Sequence, residues 1–104
     1  MTTAAGADRV FITGASSGIG AALAREYAAR GAILGLAARR GDLLAALIAS
    51  LPHSERHRSY AVDVLDHAAL DAAARDFLQH AGGADIVIAC AGISHGTLTE
   101  RPED

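Results

Sequence analysis

Apolar and polar positions follow two alternating regimes along the chain. Residues 9–13, Arg-Val-Phe-Ile-Thr, are a short β-branched and aromatic run that predicts a strand. Residues 18–30 are Ala-rich, carry Leu23 and Tyr27 at i,i+4 spacing and are followed by Gly31, which predicts a helix. The stretch 32–38 is continuously apolar, like a strand covered on both faces. Asp42 is placed to N-cap a second helix over 43–50, which Pro52 keeps from continuing. Residues 57–63 predict a third strand. Asp66 is placed to cap a third helix whose Leu70, Ala74, Phe77 and Leu78 share one face, and Gly82-Gly83 end it. Residues 84–90 predict a fourth strand, and the remainder, Gly-Ile-Ser-His and onward, has no core pattern and reads as loop. Strands alternating with helices predict the α/β class, with parallel strands joined by right-handed crossovers.

Composition narrows this reading. At 104 residues the chain is one domain or part of one, and 51% apolar with 20% charged residues describes a globular protein. The net charge is −3 and the nine basic residues are scattered, which argues against a nucleic-acid partner. All nine are Arg, and Lys is absent. A single cysteine, Cys90, excludes an internal disulfide. No apolar run reaches membrane-spanning length and the N-terminus has no basic-then-apolar leader, so a cytoplasmic protein without a membrane partner is expected. His53, His57, His67, His80 and His95 fall on different segments and are read as surface residues, with no metal site.

The chemistry sits in Val-Phe-Ile-Thr-Gly-Ala-Ser-Ser-Gly-Ile-Gly, residues 10–20. Gly14 permits a tight turn after the strand, Gly18 lets backbone lie against a phosphate, and Gly20 lets the helix pack close to the sheet. The amides at the helix start, around Ile19, and the positive end of its dipole then face an anion, with hydroxyls from Ser16 and Ser17. The loop lacks the Gly-Lys-Ser/Thr ending of an NTPase phosphate loop. Taken alone, it also suits a plain glycine-rich turn. The preceding strand, the following helix and the continuing alternation favour a dinucleotide's diphosphate.

Thr-Gly-Ala-Ser-Ser-Gly-Ile-Gly, residues 13–20, closely resembles the cofactor loop of the short-chain dehydrogenase/reductase family, and the resemblance runs from Val10 to about Thr97. It implies a Rossmann-type doubly wound parallel sheet in strand order 3-2-1-4, and a nicotinamide-dependent oxidoreductase acting on a small carbonyl or alcohol substrate. In a dinucleotide fold the end of the second strand meets the adenosine ribose. Ala38 stands there, followed by Arg39 and Arg40, and no carboxylate is available. A guanidinium fork matches a phosphate, so NADP is expected rather than NAD. The same two arginines also read as solvated surface residues.

The resemblance further implies adenine contacts from Asp63 and the Val64 amide. It also implies support of the cofactor from Cys90, Ala91 and Gly92, where the family usually has Asn-Asn-Ala-Gly and this chain has Ala89-Cys90-Ala91-Gly92. Cys90 itself reads as a small, partly buried thiol without a chemical duty.

The family's proton donor is a Tyr with Lys four residues on. Here Tyr27 and Tyr60 are followed at that spacing by Gly31 and Val64, so no catalytic residue is assigned. The chain reads as a half-domain over 1–104, truncated before the catalytic half, with an apolar fourth strand left at the sheet edge. A homo-oligomer is an expectation for the full-length protein only. The alternatives are a non-catalytic dinucleotide-binding module and an inactive gene fragment.

Overall fold

A computed structural model describes residues 8–90. In chain order they form β1 (Arg9–Thr13), α1 (Gly18–Ala29), β2 (Ile33–Ala38), α2 (Gly41–Ala49), a 3-10 turn (Ser54–Arg56), β3 (Arg58–Ala61), α3 (His67–Ala81) and β4 (Ile86–Ala89). All strand pairings are parallel, as the alternation predicts, in the order β3-β2-β1-β4 that the resemblance implies. No helix among the described residues is long and apolar enough to cross a membrane.

Strand β2 is apolar throughout because both of its faces are covered. Leu34 and Leu36 are fully buried with Val10, Ile12 and Leu44 in the larger core layer. Ala37 joins Phe11, Ala73 and Phe77 in a smaller layer under α3. Burying each such Leu, Ile or Phe contributes about 1.5–3 kcal/mol. A side chain at Gly35 would meet both phenyl rings, 2.6 Å from Phe77 and 2.8 Å from Phe11.

The helices meet the sheet on slightly different faces from those expected. Helix α1 buries Gly20, Ala24 and Ala28. Leu23 and Tyr27 lie half-buried on its flank. Small residues carry the contact because α1 approaches the strands too closely for large ones. On α3, Ala73 and Phe77 are buried, with Leu70 and Ala74 half-buried beside them. Leu78 is 44% exposed. It borders an open apolar groove of about 510 Å³ that Phe77, Ala84 and Val87 also line. Strand β4 pairs only with β1 among the described residues, so its outer edge is free and Val87 is 67% exposed.

Two caps fall where the sequence puts them. Asp66 accepts from the Ala69 amide at 3.1 Å, and Gly82 ends α3 at a left-handed φ of 84°. The start of β1 is bound to the turn before β4. Arg9 donates from Nε and Nη2 to the Asp85 carboxylate (3.0 and 2.9 Å), from its amide to Asp85 Oδ2 (2.8 Å), and from Nη1 to the Gly82 carbonyl (2.9 Å). These bonds hold the Asp85 carboxyl at about 2.

The third strand is shorter than predicted, and His57 precedes it rather than opening it. This histidine is buried, against the expectation for all five. His53, His67 and His80 are exposed, and His95 lies outside the described residues. His57 Nδ1 lies 3.1 Å from the Leu34 amide and Nε2 lies 3.0 Å from the Pro52 carbonyl. An amide only donates and a carbonyl only accepts, so Nδ1 is bare and Nε2 carries the proton. The imidazole thereby satisfies the first β2 amide that β3 does not reach.

Burial pushes His57 below its ordinary 6.5. His53 and Arg56 add to the lowering, while the Pro52 carbonyl and Glu55 oppose it. The folded chain therefore binds this proton more weakly than the unfolded chain. The resulting stability is fully present above pH 6.5 and is lost as pH falls through 6.5 towards the folded value. In urea titrations from pH 8 to pH 5, His57→Phe is expected to remove this part of the acid-side decline. It should also cost about 1–3 kcal/mol at pH 8, because Leu34 and Pro52 lose their buried partner. An unchanged pH profile in the variant would show that His57 does not carry the decline.

Candidate functional site

Beyond Thr13 the chain turns sharply, with Gly14 at a left-handed φ of 71°. The turn is held by main-chain atoms. The Gly14 and Ala15 amides both donate to the Ala37 carbonyl at the end of β2, at 2.8 and 3.2 Å, and the Ser17 amide donates to the Gly14 carbonyl at 3.1 Å. Ser17 is the N-cap of α1, its Oγ accepting from the Gly20 amide at 3.1 Å. The predicted Ser17 hydroxyl is thus engaged as a cap through its oxygen, and only its proton remains to donate outward. Ser16 is half-buried and Ile19 exposed.

Gly18 and Gly20 act differently. A Cβ on Gly20 would lie 2.5 Å from the Gly14 carbonyl oxygen and 2.8 Å from Ala15 Cα, so α1 seats against the turn only because that atom is missing. A Cβ on Gly18 would meet nothing within 4 Å and would point into open space. The amides of Ser16, Gly18 and Ile19 have no protein acceptor among the described residues. Free amides at a helix N-terminus, beside a face kept open by glycine, suit an anion in close backbone contact. On that geometry the residues present fit a diphosphate.

The second half of the candidate site lies at the ends of β2 and β3. The Val62 amide donates to the Ala38 carbonyl at 3.0 Å, which sets the exposed Asp63 and the half-buried Val64 beside the end of β2. Asp63 Oδ1 accepts from the Leu65 amide at 2.9 Å, and Oδ2 has no protein partner among the described residues. Arg39 and Arg40 are both exposed.

Their surroundings correct the expectation for Asp42. Helix α2 starts at Gly41, Arg40 occupies the N-cap position without a side-chain cap, and Asp42 falls in the first turn. Its carboxylate meets the Arg40 fork, from Nε to Oδ1 at 3.1 Å and from Nη2 to Oδ2 at 2.9 Å. This bond lowers the Asp42 carboxyl below its ordinary value and raises Arg40. Two cations before a helix N-terminus are unfavourable, and the pair neutralises one of them. Arg39 has no side-chain partner among the described residues. The Arg-Gly-Asp order across a helix start was the available sign of this pairing, and capping preference masked it.

Cys90 donates its amide to the Thr13 carbonyl at 2.8 Å, which fixes the end of β4 beside the end of β1. Its thiol is buried in the larger core layer, more deeply than expected. Burial pushes the thiol up and so keeps it protonated. Ala91 and Gly92 lie outside the described residues. Among the described residues no three His, Cys, Asp or Glu side chains gather as a metal cluster.

Comparison with known proteins bears on this arrangement. Residues 8–104 match the model of the family described as short chain dehydrogenase. An uncharacterised oxidoreductase of Mycobacterium tuberculosis is 41% identical over 99 residues, covering 92% of this chain and 39% of that protein. A 2-dehydro-3-deoxy-L-rhamnonate dehydrogenase (NAD(+)) of Sphingomonas is 39% identical over 87 residues, covering 84% of this chain and 34% of that protein. Among solved structures, L-sorbose reductase from Gluconobacter frateurii, complexed with NADPH and L-sorbose, aligns with a TM-score of 0.76 at 37% identity. The alignment covers 93% of this chain and 38% of the reductase. The chain therefore spans well under half the length of each of these relatives.

Proposed function

The chain belongs to the short-chain dehydrogenase family, and from that premise we propose that it is the cofactor-binding half of an oxidoreductase that takes NADP(H) in preference to NAD(H). The reading is carried by the open Gly18 face next to three amides without a partner among the described residues. The free amides of Ser16, Gly18 and Ile19 hold the diphosphate, the Ser17 hydroxyl proton is available to it, and Gly14 and Gly20 shape the turn and seat the helix around it. Arg39, which has no side-chain partner to displace among the described residues, meets the 2′-phosphate, and Arg40 stands next to it. Asp63 and the Val64 amide face the adenine, while Cys90, Ala91 and Gly92 back the cofactor through main chain. The bound nicotinamide would supply or accept hydride at a small carbonyl or alcohol substrate.

Neither tyrosine of this chain has a Lys four residues on, and Tyr60 is further unsuited to the accompanying proton transfer. Tyr60 donates to Asp76 at 2.6 Å, and burial, reinforced by that carboxylate, drives its hydroxyl well above its ordinary 10.0. A proton donor working near neutrality needs the opposite shift. We therefore assign proton donation to residues outside this chain. The chain alone binds cofactor without turning it over.

Arg39→Ala tests the cofactor assignment. A charge-assisted hydrogen bond contributes about 1.5–3 kcal/mol, so NADPH affinity should fall roughly tenfold to a hundredfold while NADH affinity holds. Equal losses for both cofactors in a fluorescence titration would remove Arg39 from the 2′-phosphate.

A further inference from the structure

The Arg40–Asp42 pair contributes little to holding the fold together. Both side chains are about two-thirds exposed, and the bond spans only two residues at the mouth of α2. It nevertheless lies directly beside Arg39, and it uses the Nε/Nη2 edge of the Arg40 fork, one of the two edges with which a guanidinium can grip a phosphate. We propose that Asp42 is a specificity-determining residue that moderates the preference for NADP over NAD by holding Arg40 away from the 2′-phosphate. This rests on the cofactor reading given above.

The three side chains at the end of β2 sum to a single positive charge: Arg39 and Arg40 contribute two, and Asp42 subtracts one. A dianionic 2′-phosphate thus meets one guanidinium without a partner among the described residues and one whose Nε/Nη2 edge is already taken by a carboxylate. A ribose 2′-hydroxyl, with no charge, is indifferent to that exchange. Asp42 acts through Arg40 and touches no cofactor atom, so it is a positioning residue.

The magnitude follows from the exposure of the pair. Exposed ion pairs resist separation weakly, so releasing Arg40 should tighten NADPH binding by about two- to fivefold and no more. The experiment is a double-mutant cycle read as dissociation constants for NADPH and NADH, with wild type, Asp42→Asn, Arg40→Ala and the double variant. The Asp42→Asn protein should bind NADPH about two- to fivefold tighter with NADH unchanged. The deficit caused by Arg40→Ala should be larger in the Asp42→Asn background by the same factor.

Unchanged NADPH affinity in Asp42→Asn overturns the proposal. So does a gain that survives in the double variant, since it would come from removing a negative charge rather than from freeing Arg40. So does an equal gain for NADH, which a merely structural effect on α2 would produce. Arg39→Ala, titrated alongside, separates the two levels. If it loses NADPH selectively while Asp42→Asn changes nothing, the cofactor reading stands and this inference falls. If Arg39→Ala has no selective effect, or the wild-type chain binds neither cofactor, both fall.

Discussion

Gly20→Ala is expected to destabilise the protein by about 2–3 kcal/mol, at the upper end of what overpacking costs. One added carbon would sit 2.5 Å from the Gly14 carbonyl oxygen and 2.8 Å from Ala15 Cα. Neither is the tip of a flexible side chain. Both belong to a turn whose Gly14 and Ala15 amides are bonded to the Ala37 carbonyl. Relief therefore requires α1 to lift from the sheet, which opens the layer that Ala24 and Ala28 fill. For a domain of this size each kcal/mol moves the midpoint by roughly 4–8 °C, so thermal unfolding followed by circular dichroism should show a drop of about 10 °C or more. A midpoint within about 2 °C of wild type would mean that α1 is not seated as closely as described.

Gly18→Val should do the reverse. The added side chain points into open space, and valine replaces glycine at the first position of a helix, so stability should hold or rise slightly. In the proposed complex that space belongs to the diphosphate. Displacing it from the free amides should weaken both NADPH and NADH about a hundredfold, or roughly 2.7 kcal/mol. Calorimetric titration on a protein with an undisturbed melting midpoint reads this directly. Normal affinity for both cofactors would empty the proposed cradle of its function. Together, the two glycine variants separate packing from binding two residues apart.

The order of elements was legible because it depends on period and punctuation. The apolar run at 32–38 announced a strand covered on both faces, and the double glycine at 82–83 announced the end of α3. The glycine loop was legible because its spacing encodes missing Cβ atoms, and missing atoms are a property of sequence. What escaped was decided by competition between partners distant in space or equally near in sequence. Asp42 had a choice between an amide and the Arg40 fork, and local preference favours the amide until the fork is seen beside it. His57 is separated from Leu34 by 23 residues, so no local pattern could indicate that its ring would complete the edge of β2. Leu78 fits the apolar face of α3 by spacing, but it falls on the rim of the groove beside β4, where no neighbouring element among the described residues covers it.

Arg9 and Asp85 sit 76 residues apart yet join the start of β1 to the turn before β4. β1 leaves the ribosome first and, as an inner strand, is completed last. At about 5–20 residues per second of synthesis, roughly 4–15 s separate its emergence from that of its last neighbour. Over that interval the β4 side of β1 stays unpaired, although the helices that cover Val10, Phe11 and Ile12 emerge before β4. Nascent chains of this protein should therefore hold chaperones until β4 emerges, and a translational pause upstream of codon 86 should lower the yield of folded product.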